Sequence, residues 1–269
     1  MKLAVFKSLW GMTGSLDEQF KRIADAGYAG VESGVPAKES AENFKRLLKE
    51  HKFQFIAMAF TAGNGAGEHV GSLKNQVEAA KAFNPVQLTV HSARDGWTFA
   101  QQTAYFAEAL KLEEKAGLAL NHETHRGRAM FTPWGTAALL QEFPELHIAA
   151  DFSHFCCVCE SLLADQAGNV ALCCARARHV HGRVGHEEGP QVNDPTCAEW
   201  EKHVAAHEAW WDTIVAARKK ARAAQFTFTP EFGPPNYMPT LPYTRQPVAD
   251  LWDVCLYMAN RFKKRYAEK

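Results

Sequence analysis

Phe226-Thr227-Phe228-Thr229-Pro230-Glu231 sets an aromatic face, Phe226 and Phe228, against a polar one, Thr227, Thr229 and Glu231. Alternation of that kind marks a strand buried on two chemically different sides. Three other stretches share it. Val86, Leu88 and Val90 oppose Gln87, Thr89 and His91; Leu118 and Leu120 oppose Ala119, Asn121 and Glu123; Ile148 and Ala150 oppose His147, Ala149 and Asp151. In each, one face is apolar and the other is small or polar and ends in an ionisable group. An open parallel sheet covered by helices on both sides needs two apolar faces. A closed barrel needs one face for the helices and one for its interior, which can turn polar near the mouth.

Working outward, a short apolar run followed by an amphipathic stretch recurs eight times. The runs are Leu3–Phe6, Tyr28–Glu32, Phe53–Phe60, Val86–His91, Leu118–Glu123, His147–Asp151, His179–His181 and Phe226–Glu231. Ser15-Leu16-Asp17-Glu18 reads as a capping box opening the first helix. Helical periodicity also covers Ala37–His51, Val70–Phe83, Thr98–Ala116, Pro133–Phe143, Phe155–Ala167, Ala198–Ala223 and Pro247–Tyr266. Strand–helix alternation over 269 residues, with no linker or low-complexity segment, predicts one α/β domain spanning 1–269, a (β/α)8 TIM barrel. Gly11-Met12-Thr13-Gly14 and Gly63-Asn64-Gly65-Ala66-Gly67 spell no nucleotide fingerprint and read as loops.

Thirty basic and thirty acidic side chains leave no formal charge, which argues against a nucleic-acid or membrane-surface partner. The N-terminal apolar run stops at Lys7, and no stretch is long enough to span a bilayer, so the expectation is a cytoplasmic protein. Seven cysteines, an odd number, fit a reducing compartment. Cys156-Cys157-Val158-Cys159 with Cys173 and Cys174 could form a thiolate zinc site. The second pair is adjacent rather than spaced, however, which favours small buried hydrophobes.

Glu123, Asp151, His181 and Glu231 end successive strands with the same inward parity, so barrel closure brings them to the C-terminal mouth. Three carboxylates and one imidazole make a hard donor set that suits a divalent cation, Mn²⁺ first, with Mg²⁺, Co²⁺ and Zn²⁺ as alternatives. Without a cation the carboxylates would repel one another. His91, His125, His154, His179 and Arg183 crowd the same rim, where a hydroxyl-rich or anionic substrate needs donors. His122 has outward parity and reads as packed, His147 as structural, and His51, His69, His203 and His207 as surface residues. Tyr237 and Met238, in a proline-rich loop, are expected to line the mouth or to meet a second subunit, leaving a homodimer open.

The segments Asn121-His122-Glu123-Thr124-His125, Asp151-Phe152-Ser153-His154, His179-Val180-His181 and Thr229-Pro230-Glu231-Phe232-Gly233 resemble the xylose-isomerase-like TIM barrels, a superfamily of sugar isomerases and epimerases. The resemblance implies one divalent metal on Glu123, Asp151, His181 and Glu231, and substrate contact by His154. Ala129 and Glu187 stand where ketose 3-epimerases of this superfamily carry a second glutamate and an arginine, which weakens that particular assignment. The chemistry expected is proton abstraction beside a carbonyl, with Glu123 and Glu231 as the acid–base pair, on a small carbohydrate. A metal-dependent lyase or dehydratase would share that first step. A non-catalytic sugar-binding subunit and a hydrolase like the AP endonucleases are more distant alternatives.

Overall fold

The computed structural model describes residues 1–267; positions 268 and 269 of the expected single domain lie outside the described residues. Eight parallel strands close in sequence order into a barrel. They are β1 (Lys2–Ser8), β2 (Gly30–Gly34), β3 (Gln54–Phe60), β4 (Gln87–His91), β5 (Leu120–Glu123), β6 (His147–Ala150), β7 (Ala177–His181) and β8 (Gln225–Thr229). Closure is made by β1 against β8, with Leu3 beside Phe226 and Val5 beside Phe228.

The helices are α1 (Leu16–Asp25), α2 (Ala41–Glu50), α3 (Ala66–Lys81), α4 (Phe99–Ala116), α5 (Pro133–Glu142), α6 (Ser153–Cys159), α7 (Ala167–Arg176), α8 (Glu201–Lys220) and α9 (Leu251–Tyr266). The Ser15–Glu18 capping box forms as its sequence predicts: Ser15 N–H donates to Glu18 Oε2 at 2.8 Å, and Ser15 Oγ accepts from Glu18 N–H. Thr98 and Gln101 make a second capping box, and α4 ends on Gly117 at φ 62°, where a side chain would be strained.

The single helix expected over Phe155–Ala167 is broken: α6 stops at Cys159, a 3₁₀ turn covers Ala164–Gln166, and α7 follows. The chain turns left-handed at Glu160 and again at Leu163, which stops the first helix before the second begins.

The apolar strand faces pack under the helices in one continuous core that includes Val31, Leu88, Val90, Leu120, Ile148, Val180, Phe226 and Phe228. Inside the barrel, Ala4, Phe6 and Ile56 form a separate small apolar cluster. The rest of the interior is polar, as strand parity required. Gln87 donates to Thr227 Oγ1 at 3.1 Å, and register pairs His179 with Thr227 and His181 with Thr229. Cys156, Cys173 and Cys174 are buried, and among the described residues no cluster able to hold a metal contains a cysteine. Among those residues no helix is long and apolar enough to cross a membrane.

Candidate metal centre

Glu123 is the last residue of β5 and His181 the last of β7; Asp151 follows β6 directly and Glu231 lies two residues beyond β8. One ligand atom from each of these four buried residues lies within 4.8 Å of the others. His181 Nδ1 is 3.2 Å from Glu123 Oε1 and 3.0 Å from Glu231 Oε2. Local sequence makes this approach possible. A Cβ on Gly182 would stand 2.0 Å from the Phe228 ring, so only glycine fits between His181 and Arg183.

Arg183, 1% exposed, reaches the same point from the side. Its Nη2 lies 2.7 Å from Glu231 Oε2 and 2.9 Å from Asp151 Oδ2. The guanidinium packs 4.6 Å from the ring centre of Tyr237. The Ser153 hydroxyl and N–H donate to Asp151 Oδ1.

Glu32, at the inner face of β2, is a residue that sequence reasoning missed. It is fully buried and takes four partners: Thr89 Oγ1 at 2.6 Å, Thr229 Oγ1 at 2.5 Å, His181 Nε2 at 3.1 Å and His179 Nε2 at 3.2 Å. The available signal was its place at the end of the second apolar run, the position that Glu123 and His181 hold in theirs. Carboxylates face both nitrogens of His181, Glu32 at Nε2 and Glu123 and Glu231 at Nδ1; with a cation in place Glu32 would keep the proton on Nε2 and leave Nδ1 to the ion, as in carboxylate-oriented metal histidines.

The electrostatics follow from burial and close charges. Burial opposes ionisation of Glu123, yet the imidazoles of His91 and His181 hold its carboxyl well below the usual range. Glu32 behaves alike through His181 and His179. Burial raises Asp151 to about 6 despite Arg183. Burial favours neutral His181, but Glu231, Glu32 and Glu123 outweigh it and push the pKa well up. Burial lowers His125 to about 4 and, helped by His125 and Arg183, takes His154 far below its ordinary value.

This donor set fits a divalent cation. The residues are hard oxygens plus one imidazole whose second nitrogen is already committed, gathered in a buried cluster with surplus negative charge.

A cavity of about 580 Å³ opens onto the centre. Glu231, Arg183, His91 and His125 supply its polar groups, and Trp10, Met58, Phe60 and Tyr237 its apolar wall. Gly233 is required beneath that wall, since a Cβ there would lie 2.3 Å from the Trp10 ring. Of the side chains expected at the rim, His91 and His125 line the cavity. His154 is buried behind them, its ring centre 3.9 Å from that of His125. His179 sits beneath the centre, between Glu32 and Thr227 Oγ1 at 2.8 Å. Tyr237 lines the mouth, while Met238 is buried within its own chain.

His122 is packed, as expected, with Nδ1 2.5 Å from Ser92 Oγ. Two histidines expected at the surface are not there. His69 is 1% exposed and bonded to Thr61 Oγ1 at 2.8 Å, and His207 is fully buried. The helix carrying His69 starts before Val70, at Ala66, which turns the residue inward.

Acidic and imidazole side chains gathered at the C-terminal strand ends of a parallel barrel stand at the face where TIM-barrel enzymes carry their active sites. The chain belongs to the xylose isomerase-like TIM barrel family, whose model matches residues 20–217. Three solved structures share the fold. The 3-keto-D-glucoside 4-epimerase of E. coli is 13% identical with a TM-score of 0.64, covering 98% of this chain and 100% of its own. A probable 3-DHS dehydratase from Bacillus anthracis is 15% identical with a TM-score of 0.63 and the same coverage. Endonuclease IV from Thermus thermophilus is 15% identical with a TM-score of 0.54, covering 87% of this chain and 94% of its own. No curated protein matches the sequence. At such identities the likeness is one of fold, and the site must carry the functional argument.

Proposed function

We propose that this chain is a divalent-metal-dependent isomerase or epimerase of a sugar or sugar phosphate, with Mn²⁺ the first choice of ion for so oxygen-rich a set. The observation that carries the reading is the unequal placement of two glutamates around one centre. Glu231 lines the cavity, whereas Glu123 is buried behind His91, whose Nε2 lies 2.5 Å from Glu123 Oε2.

A cation held by Glu123, Asp151, His181 and Glu231 would acidify the C–H bond beside a substrate carbonyl and stabilise the enediolate. Glu231 faces the substrate directly and is the base that removes the proton. Glu123 communicates with the cavity through His91, so that pair returns a proton from a second direction. Arg183, whose Nε and Nη2 are held on Asp151 and Glu231, keeps Nη1 for a substrate oxygen or phosphate. Trp10, Phe60, Met58 and Tyr237 screen the reacting carbon from water. Loss of a leaving group after the same abstraction would make the enzyme a dehydratase, and product analysis separates the two.

The test uses a panel of free and phosphorylated ketoses in D₂O. Glu231→Gln, assayed at saturating metal, should lower deuterium exchange at the substrate α-carbon by about 10²–10⁴-fold, the usual contribution of a general base, with metal content changed little because the amide oxygen can still ligate. Retained exchange removes Glu231 from the chemistry. An unsaturated product replaces epimerisation with elimination.

A further inference from the structure

We propose that a second cavity, outside the barrel between β1, the loop after β8 and the start of α9, binds a small amphipathic anion, an apolar body carrying one carboxylate or phosphate, with Lys7 as its counter-charge. The proposal is independent of the reaction at the metal centre.

Lys7 supplies the main evidence. It is 1% exposed, and among the described residues its Nζ makes one hydrogen bond, donating to the Ser8 carbonyl at 2.7 Å. An ammonium has three protons to donate. No carboxylate pairs with this one among those residues. A buried charge without a counter-charge is costly, and lysines are almost never fully buried unless paired. An anion bound beside Lys7 would remove that cost.

Strand parity separates this cavity from the one over the metal centre. Phe6 belongs to the apolar cluster inside the barrel and Val5 to the core under the helices, so Lys7 shares the outward face of Val5. Its neighbour Ser8 lines the cavity over the metal centre, whereas Lys7 lines the second cavity, of about 540 Å³. The two cavities share no lining residue. The volume lies within the range of small-molecule sites, about 300–1,000 Å³.

The other walls fit the two ends of such a ligand. Leu251 and Trp252, the first two residues of α9, line the cavity, and the N–H groups of a first helical turn have no partner within the helix and favour negative charge. A second cation, Arg22, also lines it, with its guanidinium 4.0 Å from the centre of the Trp252 ring. The acid in the lining, Asp250, is committed to capping α9, where its Oδ1 accepts from Asp253 N–H at 3.0 Å. Met12, Pro234, Pro235 and Leu251 offer side chains of carbon and sulfur, against which methylene or aromatic carbon packs without stranding a polar group.

The probes are octanoate and hexyl phosphate, with octanamide as the uncharged match and inorganic phosphate as a headgroup alone. Binding to full-length protein is measured by titration calorimetry and by the rise in melting temperature. At least one of the two acids should bind, at one molecule per chain and at least about tenfold more tightly than octanamide or inorganic phosphate, and the tighter acid identifies the headgroup. Lys7→Met, which keeps the length of the side chain and drops the charge, should weaken that acid by at least about 30-fold, as loss of one partner from a buried charge pair does. Lys7→Gln is the polar alternative, and both variants are checked for native circular dichroism. No binding of either acid, equal binding of octanamide, or undiminished binding in either folded variant overturns the proposal. None of these results touches the assignment of Glu231 as base, which is read by deuterium exchange.

Discussion

Arg183 and Glu231 meet at 2.7 Å inside the barrel mouth, the guanidinium 1% exposed and the same Nη2 also bonded to Asp151. The arginine thus sets its one positive charge against two carboxylates of the candidate metal cluster. Removing it leaves both buried with only the His181 ring as a cationic neighbour. Arg183→Met should destabilise metal-free protein by about 3–5 kcal/mol, as breaking a buried ion pair generally does. Saturating Mn²⁺ should restore more stability to the variant than it adds to the wild type. Thermal melts with and without the ion measure both, and equal melting temperatures for the two metal-free proteins would show that the pair is not needed.

Glu32 acts on the centre through His181. Glu32→Gln keeps the size of the side chain but replaces a charged acceptor shared by His179 and His181 with a neutral amide. Loss of such an orienting partner typically lowers metal affinity about 10–100-fold. Competition with a chromophoric chelator measures the change. Unaltered affinity would reduce Glu32 to a packing residue.

His207 makes the fold sensitive to acid away from the mouth. Its Nδ1–H donates to the His203 carbonyl at 2.8 Å, and its Nε2 accepts the Gly185 N–H at 3.2 Å, so the folded protein needs a neutral ring. Burial lowers its pKa from 6.5 to about 4. The unfolded chain therefore takes up the proton first. Stability is intact above 6.5 and declines as the pH falls from there to about 4. The full loss is on the order of 3 kcal/mol for a shift of that size. His207→Gln should show a smaller difference between urea midpoints at about pH 7 and about pH 4.5 than the wild type, because the variant has no ring to protonate across that interval. An identical difference would place the sensitivity elsewhere.

Strand parity carried the barrel and the four converging side chains, because a closed sheet forces every inward residue toward one axis. What parity did not convey was depth. His179 and His181 share a face, but only the second reaches the cluster of Glu123, Asp151 and Glu231; the first is fastened below by Thr227 and Glu32. Glu32 ended its apolar run like the others. Its role depends on contacts with β4, β7 and β8, which no local pattern reports. The break after Cys159 escaped because Leu162 and Leu163 continue the apolar spacing through a stretch where the backbone turns left-handed. His207 read as a surface residue because its partner, the Gly185 amide, belongs to a loop distant in sequence.

The Glu32 knot has a further consequence for how the molecule can be divided. Its carboxylate comes from the second strand, while three of its four partners come from the seventh and eighth. A fragment ending near the middle of the chain would contain that acid without the imidazoles that keep it ionised, and the complementary fragment would contain those imidazoles without their acid. The two halves are therefore not autonomous building blocks, and whatever ancestry the barrel has, its present interior works only as an undivided ring.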